Sequence, residues 1–553
     1  MGELPQRAHA GEAEGAGGAC GAVRRLLRGA ACLLPAVLLG VGGLPGRVLA
    51  QGTAPERAVA ARGAAPASAA AAPVATSAAV LQPCRLTGFE HDAACGQVRR
   101  PLDPAAPRGR QIEVHFAVLP ALARHKHPDP VVVFAGGPGQ SAIDLAGSWS
   151  RLLARLGNRR DIVLVDQRGT GRSAPLACPE MPPTTPLAEA LSAERQTARL
   201  EACRVALQRL PHGDLRHYTT WVAMADVEAV RQALGAPRVN LVGASYGTRA
   251  ALEYQRQFPN AVRRLVIDGV APPDMALPEA FAADSQAVLD RVFAACEADA
   301  AGCAALHGPV RAHWRGLLAS LPREVQVAHP VTGTTERLRL TREMVLGLGR
   351  APLYVPVYAS ALPAALAEAA RGRFEALVGL ASALQGGRGG ALAEGMHHSV
   401  VCSEDLPRMA GSASVSGEPI AAGSDFGTTF ADRYRRACAG WPRGEVPGAF
   451  YRVPEAPSPA LVLSGGADPV TPPRHGERVR AALGTRARHV VVAEAGHGVM
   501  ALPCMRDVLF RFIDAPDAAA ALAVATDCAA SVPRPGAFWP PGAASAAGGA
   551  RAP

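Results

Sequence analysis

Lysine is almost missing from this 553-residue chain: Lys126 is the only one, so the basic charge is carried nearly entirely by arginine. The arginines are scattered, with no block of five or six and no aromatic residues interleaved among them. The net charge of +10 therefore reads as a solvated basic surface, and a nucleic-acid partner is not expected. Cys-x-x-Cys pairs and Cys/His clusters at zinc spacing are absent, which argues against a metal site. No Gly-Lys-Ser/Thr follows a glycine-rich loop, which argues against phosphate binding of that kind, and nothing in the chain asks for a cofactor. Internal repeats are absent as well. The apolar stretch from Gly29 to Leu44 is short and glycine-rich for a membrane span, which needs about 20 apolar residues.

That stretch has a different reading. Arg24, Arg25 and Arg28 precede it, and Val48-Leu49-Ala50 offers small residues for cleavage before Gln51. Residues 1–50 are expected to be a signal peptide, leaving no stable membrane span after cleavage. Beyond it lie ten cysteines, an even number that favours disulfides in an oxidising compartment. Neighbours in sequence would pair as 84–95, 178–203, 296–303, 402–438 and 504–528, although spacing alone does not settle connectivity. The expected location is secreted or periplasmic.

Residues 51–83 form an Ala/Pro/Ser/Thr-rich linker. Short apolar runs follow at Ile112–Val118, Val131–Ala135, Ile162–Asp166, Val239–Gly243, Leu265–Asp268, Ala460–Ser464 and Val490–Ala493. They alternate with helical patterns such as Trp221–Leu234 and His475–Leu483. Continuous apolar strands alternating with helices predict a mostly parallel, doubly wound α/β sheet. The alternation lapses between 271 and 453, where the pattern is mostly helical with Gly/Ser-rich loops at Gly386–Gly390 and Gly411–Gly417. This segment is expected to be a helical cap inserted between core parts 84–270 and 454–530, because α/β folds build their sites at strand ends. Residues 531–553 read as a disordered Pro/Gly/Ala tail.

The chemistry concentrates at Gly243-Ala244-Ser245-Tyr246-Gly247, which lies between the strand 239–243 and a helix over 248–258. A Gly-x-Ser-x-Gly turn in that context displays a nucleophilic serine at the tip of a sharp bend. Such a serine needs a base, and the base needs an orienting carboxylate. Two later strand ends supply them in the order this architecture uses: Asp468 after Ala460–Ser464, then His497 after Val490–Ala493. Asp268, also at a strand end, is the rival acid, and His475 reads as a surface residue. The glycine-rich Gly136-Gly137-Pro138-Gly139 follows another strand. The backbone N–H of Gly137, with that of Tyr246, is the expected oxyanion hole.

Three of these motifs together carry a family resemblance. Phe134-Ala135-Gly136-Gly137-Pro138-Gly139 resembles the His-Gly-Gly-Pro-Gly loop of the proline iminopeptidase branch of α/β-hydrolases, with Ala135 where that family often has His. Asp166-Gln167-Arg168-Gly169-Thr170-Gly171-Arg172-Ser173 and the Ser245 turn are similar to further motifs of that branch. The region around Asp468, with Cys504 shortly after His497, resembles secreted tripeptidyl aminopeptidases. The resemblance implies the α/β-hydrolase fold and a serine exopeptidase acting on peptides with a free N-terminus. Such an enzyme needs an anionic anchor for the substrate ammonium, and Glu404 and Asp405, late in the insertion, are the candidates. An esterase or small-amide hydrolase is the alternative on the same scaffold, and a non-catalytic secreted binding protein is the other class. Oligomeric state and the number of residues released are not readable at this level.

Overall fold

Short runs such as Val131–Phe134 and Ile162–Val165 have every side chain buried, so they belong in a sheet covered on both faces. The structure, a computed structural model, describes residues 80–383, 391–409, 423–455 and 457–538. The expected leader, most of the linker, the Gly386–Gly390 and Gly411–Gly417 loops and residues 539–553 lie outside the described residues. All described residues belong to one compact unit, Val74–Pro553.

Among the described residues the main sheet has nine strands: β1 (Gln82–Cys84), β2 (Ala93–Pro101), β3 (Gln111–Leu119), β4 (Val131–Phe134), β5 (Ile162–Val165), β6 (Val239–Ala244), β7 (Val262–Asp268), β10 (Ala460–Gly465) and β11 (Ala487–Val492). Their spatial order is β1-β2-β3-β5-β4-β6-β7-β10-β11. The first three strands pair antiparallel up to β3–β5, and every pairing from β5 to β11 is parallel. From β4 the chain moves to β5 on one side and then returns to β6 on the other. The loops leaving β4 and β6 therefore part, and that is where an α/β sheet opens a crevice at its carboxyl edge.

The helices used below are α1 (Ala193–Leu207), α2 (Thr220–Ala233), α3 (Tyr246–Gln257), α4 (Leu277–Ala298), α5 (Arg342–Arg350), α6 (Glu394–Glu404), α7 (Thr429–Cys438), α8 (Pro473–Leu483) and α9 (Pro503–Asp514). One sheet face packs under α2, α3 and α8 around Leu241, Tyr254 and Val462. The other carries α9 through Val508, Leu509 and Phe512.

The segment between β7 and β10 has a hydrophobic centre of its own, around Trp314, Phe293, Leu346 and Phe374. It is not purely helical. A hairpin, β8 (Arg323–Ala328) with β9 (Thr335–Leu340), pairs antiparallel within it. Its inward positions Val325, Val327, Leu338 and Leu340 are buried while their neighbours face water, the period-2 pattern of a half-covered hairpin. Residues 531–538, expected to belong to a disordered tail, are tied to the inserted segment. Arg534 donates to the Arg291 carbonyl at 3.3 Å, and the Phe538 amide donates to the Ser360 carbonyl at 3.2 Å.

Among the described residues five disulfides join Cys84–Cys95, Cys178–Cys203, Cys296–Cys303, Cys402–Cys438 and Cys504–Cys528. Each joins neighbours in sequence, as the spacing suggested. Among the described residues no helix is long and apolar enough to cross a membrane.

Candidate active site

Ser245 stands between the last residue of β6 and the first of α3, with φ 55° and ψ −125°. A non-glycine residue in that region is strained, and the surroundings must over-determine it. They do so on both sides. A Cβ on Gly243 would lie 2.4 Å from the Gly247 carbonyl, and one on Gly247 would lie 2.2 Å from the Phe134 carbonyl. The bend is therefore closed only with glycine at both flanks. The Ser245 amide donates to the Asp268 carbonyl at 2.8 Å, and its own carbonyl accepts from the Thr248 amide and hydroxyl at 2.9 and 2.6 Å.

The loop after β4 runs directly against this turn: a Cβ on Gly136 would touch the Ser245 Cβ at 3.3 Å. Gly137 and Gly139 adopt φ 110° and 109°, the region that glycine alone enters without cost. The inserted segment holds the loop from the other side. The Ala393 amide donates to the Gly139 carbonyl at 2.9 Å, and His397 Nδ1 lies 3.0 Å from the Pro138 carbonyl. A carbonyl only accepts, so His397 carries its proton on Nδ1. Its Nε2, 2.9 Å from the Tyr434 hydroxyl, then accepts from that group. The loop with Ala135 at its start thus takes support from a histidine far along the chain.

Asp468 and His497 meet as neighbours from the loops after β10 and β11. Asp468 Oδ2 lies 2.8 Å from His497 Nδ1. Its Oδ1 accepts the Val470 and Thr471 amides at 2.9 Å each, and the Thr471 hydroxyl donates to Oδ2 at 2.7 Å. Burial alone would raise the Asp468 pKa, but the facing His497 and these donors hold it below the ordinary carboxylate value. Burial likewise works to lower that of His497, yet the Asp468 charge and hydrogen bond keep it above the usual imidazole range. Nδ1–H is committed to Asp468, which leaves Nε2 as the basic nitrogen. The His497 amide donates to the Tyr354 carbonyl at 3.0 Å, and the two rings meet edge-on at 5.5 Å. Ser245 and His497 flank one stretch of backbone: Asp268 accepts the Ser245 amide, and a Cβ on the next residue, Gly269, would lie 3.1 Å from the His497 ring.

Asp268, the rival acid, is occupied elsewhere. Its carboxylate accepts the Val499 and Met500 amides at 3.1 and 2.8 Å, and burial pushes its pKa up to about 6. It ties the turn that follows His497.

Two expectations are corrected. Glu404 and Asp405, expected to anchor the substrate ammonium, are both fully buried at the end of α6. Glu404 accepts the Thr220 amide at 2.6 Å, and both carboxylates face Arg249, at 3.4 and 3.0 Å. Their charge is spent on a core arginine of α3, so the structure does not bring them to Ser245 as an anchor. His475 is not on the surface either. It is fully buried, with Nε2 3.1 Å from Asp284 of α4.

The Asp166–Ser173 motif has an architectural place. Asp166 accepts the Ser141 hydroxyl at 2.7 Å, just past the β4 loop. Arg168 makes two bonds to Asp226 of α2 at 2.7 and 2.9 Å. Sequence reasoning passed over Thr471, although it lies in the Asp468 loop, three residues on. It also passed over a cavity of about 560 Å³ lined by His497, Tyr354, Arg350 and Glu343 together with Phe430 and Arg433 of α7. Nothing in the pattern of the insertion marked those positions.

A mostly parallel sheet with a strained serine after β6, and an acid and a histidine on later strand ends, is the arrangement of the α/β-hydrolase fold. Family models agree: residues 129–304 match the alpha/beta hydrolase fold and residues 423–523 match the TAP-like protein family. The chain has the α/β-hydrolase fold, and its residues 423–523 are similar to the TAP-like protein family.

Among its relatives is the tripeptidyl aminopeptidase of Streptomyces coelicolor, 31% identical over 194 residues, which cover 32% of this chain and 35% of that protein. The alignment thus spans about a third of that relative's length. Serine protease Hip1 of Mycobacterium tuberculosis is 26% identical over 423 residues, 71% of this chain and 80% of its own. The proline iminopeptidase of Xylella fastidiosa is 30% identical over 144 residues, 26% of this chain and 33% of that protein.

Proposed function

We propose that this chain is an exported serine exopeptidase that removes residues from the free amino end of peptides through an acyl-enzyme. The observation that carries this reading is the buried Asp468 carboxylate 2.8 Å from His497 Nδ1, on the strand ends beside the Ser245 turn. In this reading Ser245 attacks the scissile carbonyl while His497 Nε2 takes its proton. The Gly137 and Tyr246 N–H groups stabilise the oxyanion. The protonated His497 then gives its proton to the leaving amine, and water releases the acyl group by the same route. Asp468 holds the imidazole in its tautomer and stabilises its charged form. The expected leader and the five disulfides support an oxidising, extracytoplasmic location.

With Glu404 and Asp405 committed to Arg249, the carboxylate on the cavity wall becomes the anchor for the substrate ammonium. This is Glu343 on α5, whose partner is the part-exposed Arg436 at 3.3 Å, a weak pair that a ligand can displace. Glu343 and Arg350 are seven residues apart on one helical face, about 10 Å along the axis. Three extended residues span about the same distance. An acyl part as long as a tripeptide therefore matches the length of this wall from Glu343 to Arg350.

The test is turnover of aminoacyl, dipeptidyl and tripeptidyl chromogenic amides, each with a free and a blocked amine. Free tripeptidyl substrates are expected to lead by tenfold or more, and Glu343→Gln to raise their KM about tenfold. Equal turnover of blocked and free substrates, or a preference for simple esters, overturns the exopeptidase reading.

A further inference from the structure

Arg350 ends α5 on the wall of the cavity that contains His497. Its guanidinium is enclosed by three aromatic rings, Phe281 at 4.7 Å, Phe430 at 4.8 Å and Tyr354 at 5.2 Å. Its Nε donates to the Ser285 hydroxyl at 2.9 Å and one Nη to the Tyr354 hydroxyl at 3.1 Å. Both partners are neutral, and among the described residues Arg350 forms no ion pair. Arg433 lines the same cavity and bonds Gln196, also neutral, with no ion pair among the described residues. The carboxylate on this wall, Glu343, lies two helical turns away and is shared with Arg436. The cavity wall beside His497 is thus a pocket with a cation, Arg350, in no ion pair among the described residues, and Arg433 is a second such cation on the same lining.

A half-buried arginine held by rings and hydroxyls is fixed in direction but not neutralised. Guanidinium has five N–H donors, and the protein takes two of them here. The remainder present a planar fork suited to a carboxylate.

We propose that this pocket selects peptides with an acidic side chain close to the scissile bond, Arg350 being the specificity-determining counter-ion and Arg433 reinforcing the positive field. The proposal rests on the exopeptidase reading and adds a polarity to its cavity. The ammonium goes to the Glu343 end, and the aspartate or glutamate side chain goes to the Arg350 end.

A hydrogen-bonded contact to a charged group of this kind corresponds to about ten- to a hundredfold in kcat/KM. Because the cavity is open to solvent, part of that preference should fade as salt rises.

The experiment uses the full chain and free-amine peptides that differ by a single Glu, Gln or Lys at each of the three positions before the cleaved bond and the one after it. At one of these positions Glu is expected to exceed Gln by tenfold or more at low salt, with Lys poorest. In Arg350→Gln that ratio should fall to near one, with Arg350→Lys between the two. Thermal melting checks that the variants fold, and the wild-type Glu-to-Gln ratio decides the matter if they do not. Ratios within threefold at every position overturn this proposal while leaving the exopeptidase intact. Failure to cleave any free-amine peptide removes both.

Discussion

Ser245, Asp468 and His497 come from three loops, and each is positioned by bonds that do not involve the other two. The Ser245 amide is fixed on the Asp268 carbonyl, the Asp468 carboxylate on the Val470 and Thr471 amides, and the His497 amide on the Tyr354 carbonyl. Removing the charge of Asp468 should therefore change the imidazole without collapsing the site. Asp468→Asn is expected to lower kcat about 10⁴-fold, because the wrong tautomer of His497 becomes favoured. The pH profile carries the same logic. His497 must be neutral to act as base, so kcat/KM falls as pH drops through its pKa. Asp468 raises that pKa, and the acid limb of the wild type should lie above the ordinary imidazole value of about 6.5. In Asp468→Asn, the imidazole titration followed by NMR should move down. A titration that stays in place removes Asp468 from its role.

The elements that display these residues depend on close backbone approach. A Cβ on Gly247 would lie 2.2 Å from the Phe134 carbonyl and 2.8 Å from that of Ala135. Neither is a side-chain tip that can swing aside, so the α3 start and the β4 loop would have to separate. Gly247→Ala is expected to cost about 1–3 kcal/mol by overpacking. It should also lower kcat by 10² or more, since an ångström of misplacement costs about that much. Gly157→Ala, with nothing within 4 Å of its added Cβ, is the control and should leave both urea melts and turnover unchanged. If Gly247→Ala matches the control, the turn is not held as tightly as these distances require.

At this scale the central strands were legible because Val131–Phe134 and Ile162–Val165 are unbroken apolar runs. β2 was not, since Arg99 and Arg100 and its half-exposed pattern erase the signal of a buried strand. Its place comes from pairing with β3, not from its own composition. The positions of the Ser245, Asp468 and His497 loops were readable because strand ends and glycines mark them. The environments of Glu404 and His475 were not, because they are set by Arg249 and Asp284, 155 and 191 residues away in sequence.

At the scale of the whole molecule, the Arg249 cluster joins the core to the inserted segment, and its contribution to stability has a pH dependence of definite sign. Arg249 and Thr220 belong to core helices α3 and α2, and Glu404 ends α6 in the insertion. Two carboxylates share one guanidinium inside the protein. Burial, with the neighbouring Asp405, pushes the Glu404 pKa up to about 7 despite Arg249. Unfolded, the same group titrates near about 4.3. Between those values the folded chain binds more protons than the unfolded one, so stability falls as pH rises through that window. Asp268, raised by burial to about 6, slopes in the same direction. Carboxylates held low, such as Asp129 and Asp468, act with the opposite sign and at more acid pH, where their stabilisation is lost. His115, His313, His397, His398 and His489, all held below the ordinary imidazole value by burial, slope the other way in the same range, so the Glu404 contribution is read by urea unfolding as the difference between wild type and Glu404→Gln at pH 5 and pH 8. Glu404→Gln keeps an acceptor for the Thr220 amide and leaves Arg249 paired with Asp405, so it should remove this contribution, with the gain over wild type confined to the higher pH. A variant whose slope matches that of the wild type means that Glu404 is already ionised in the folded core and that Arg249 neutralises both acids.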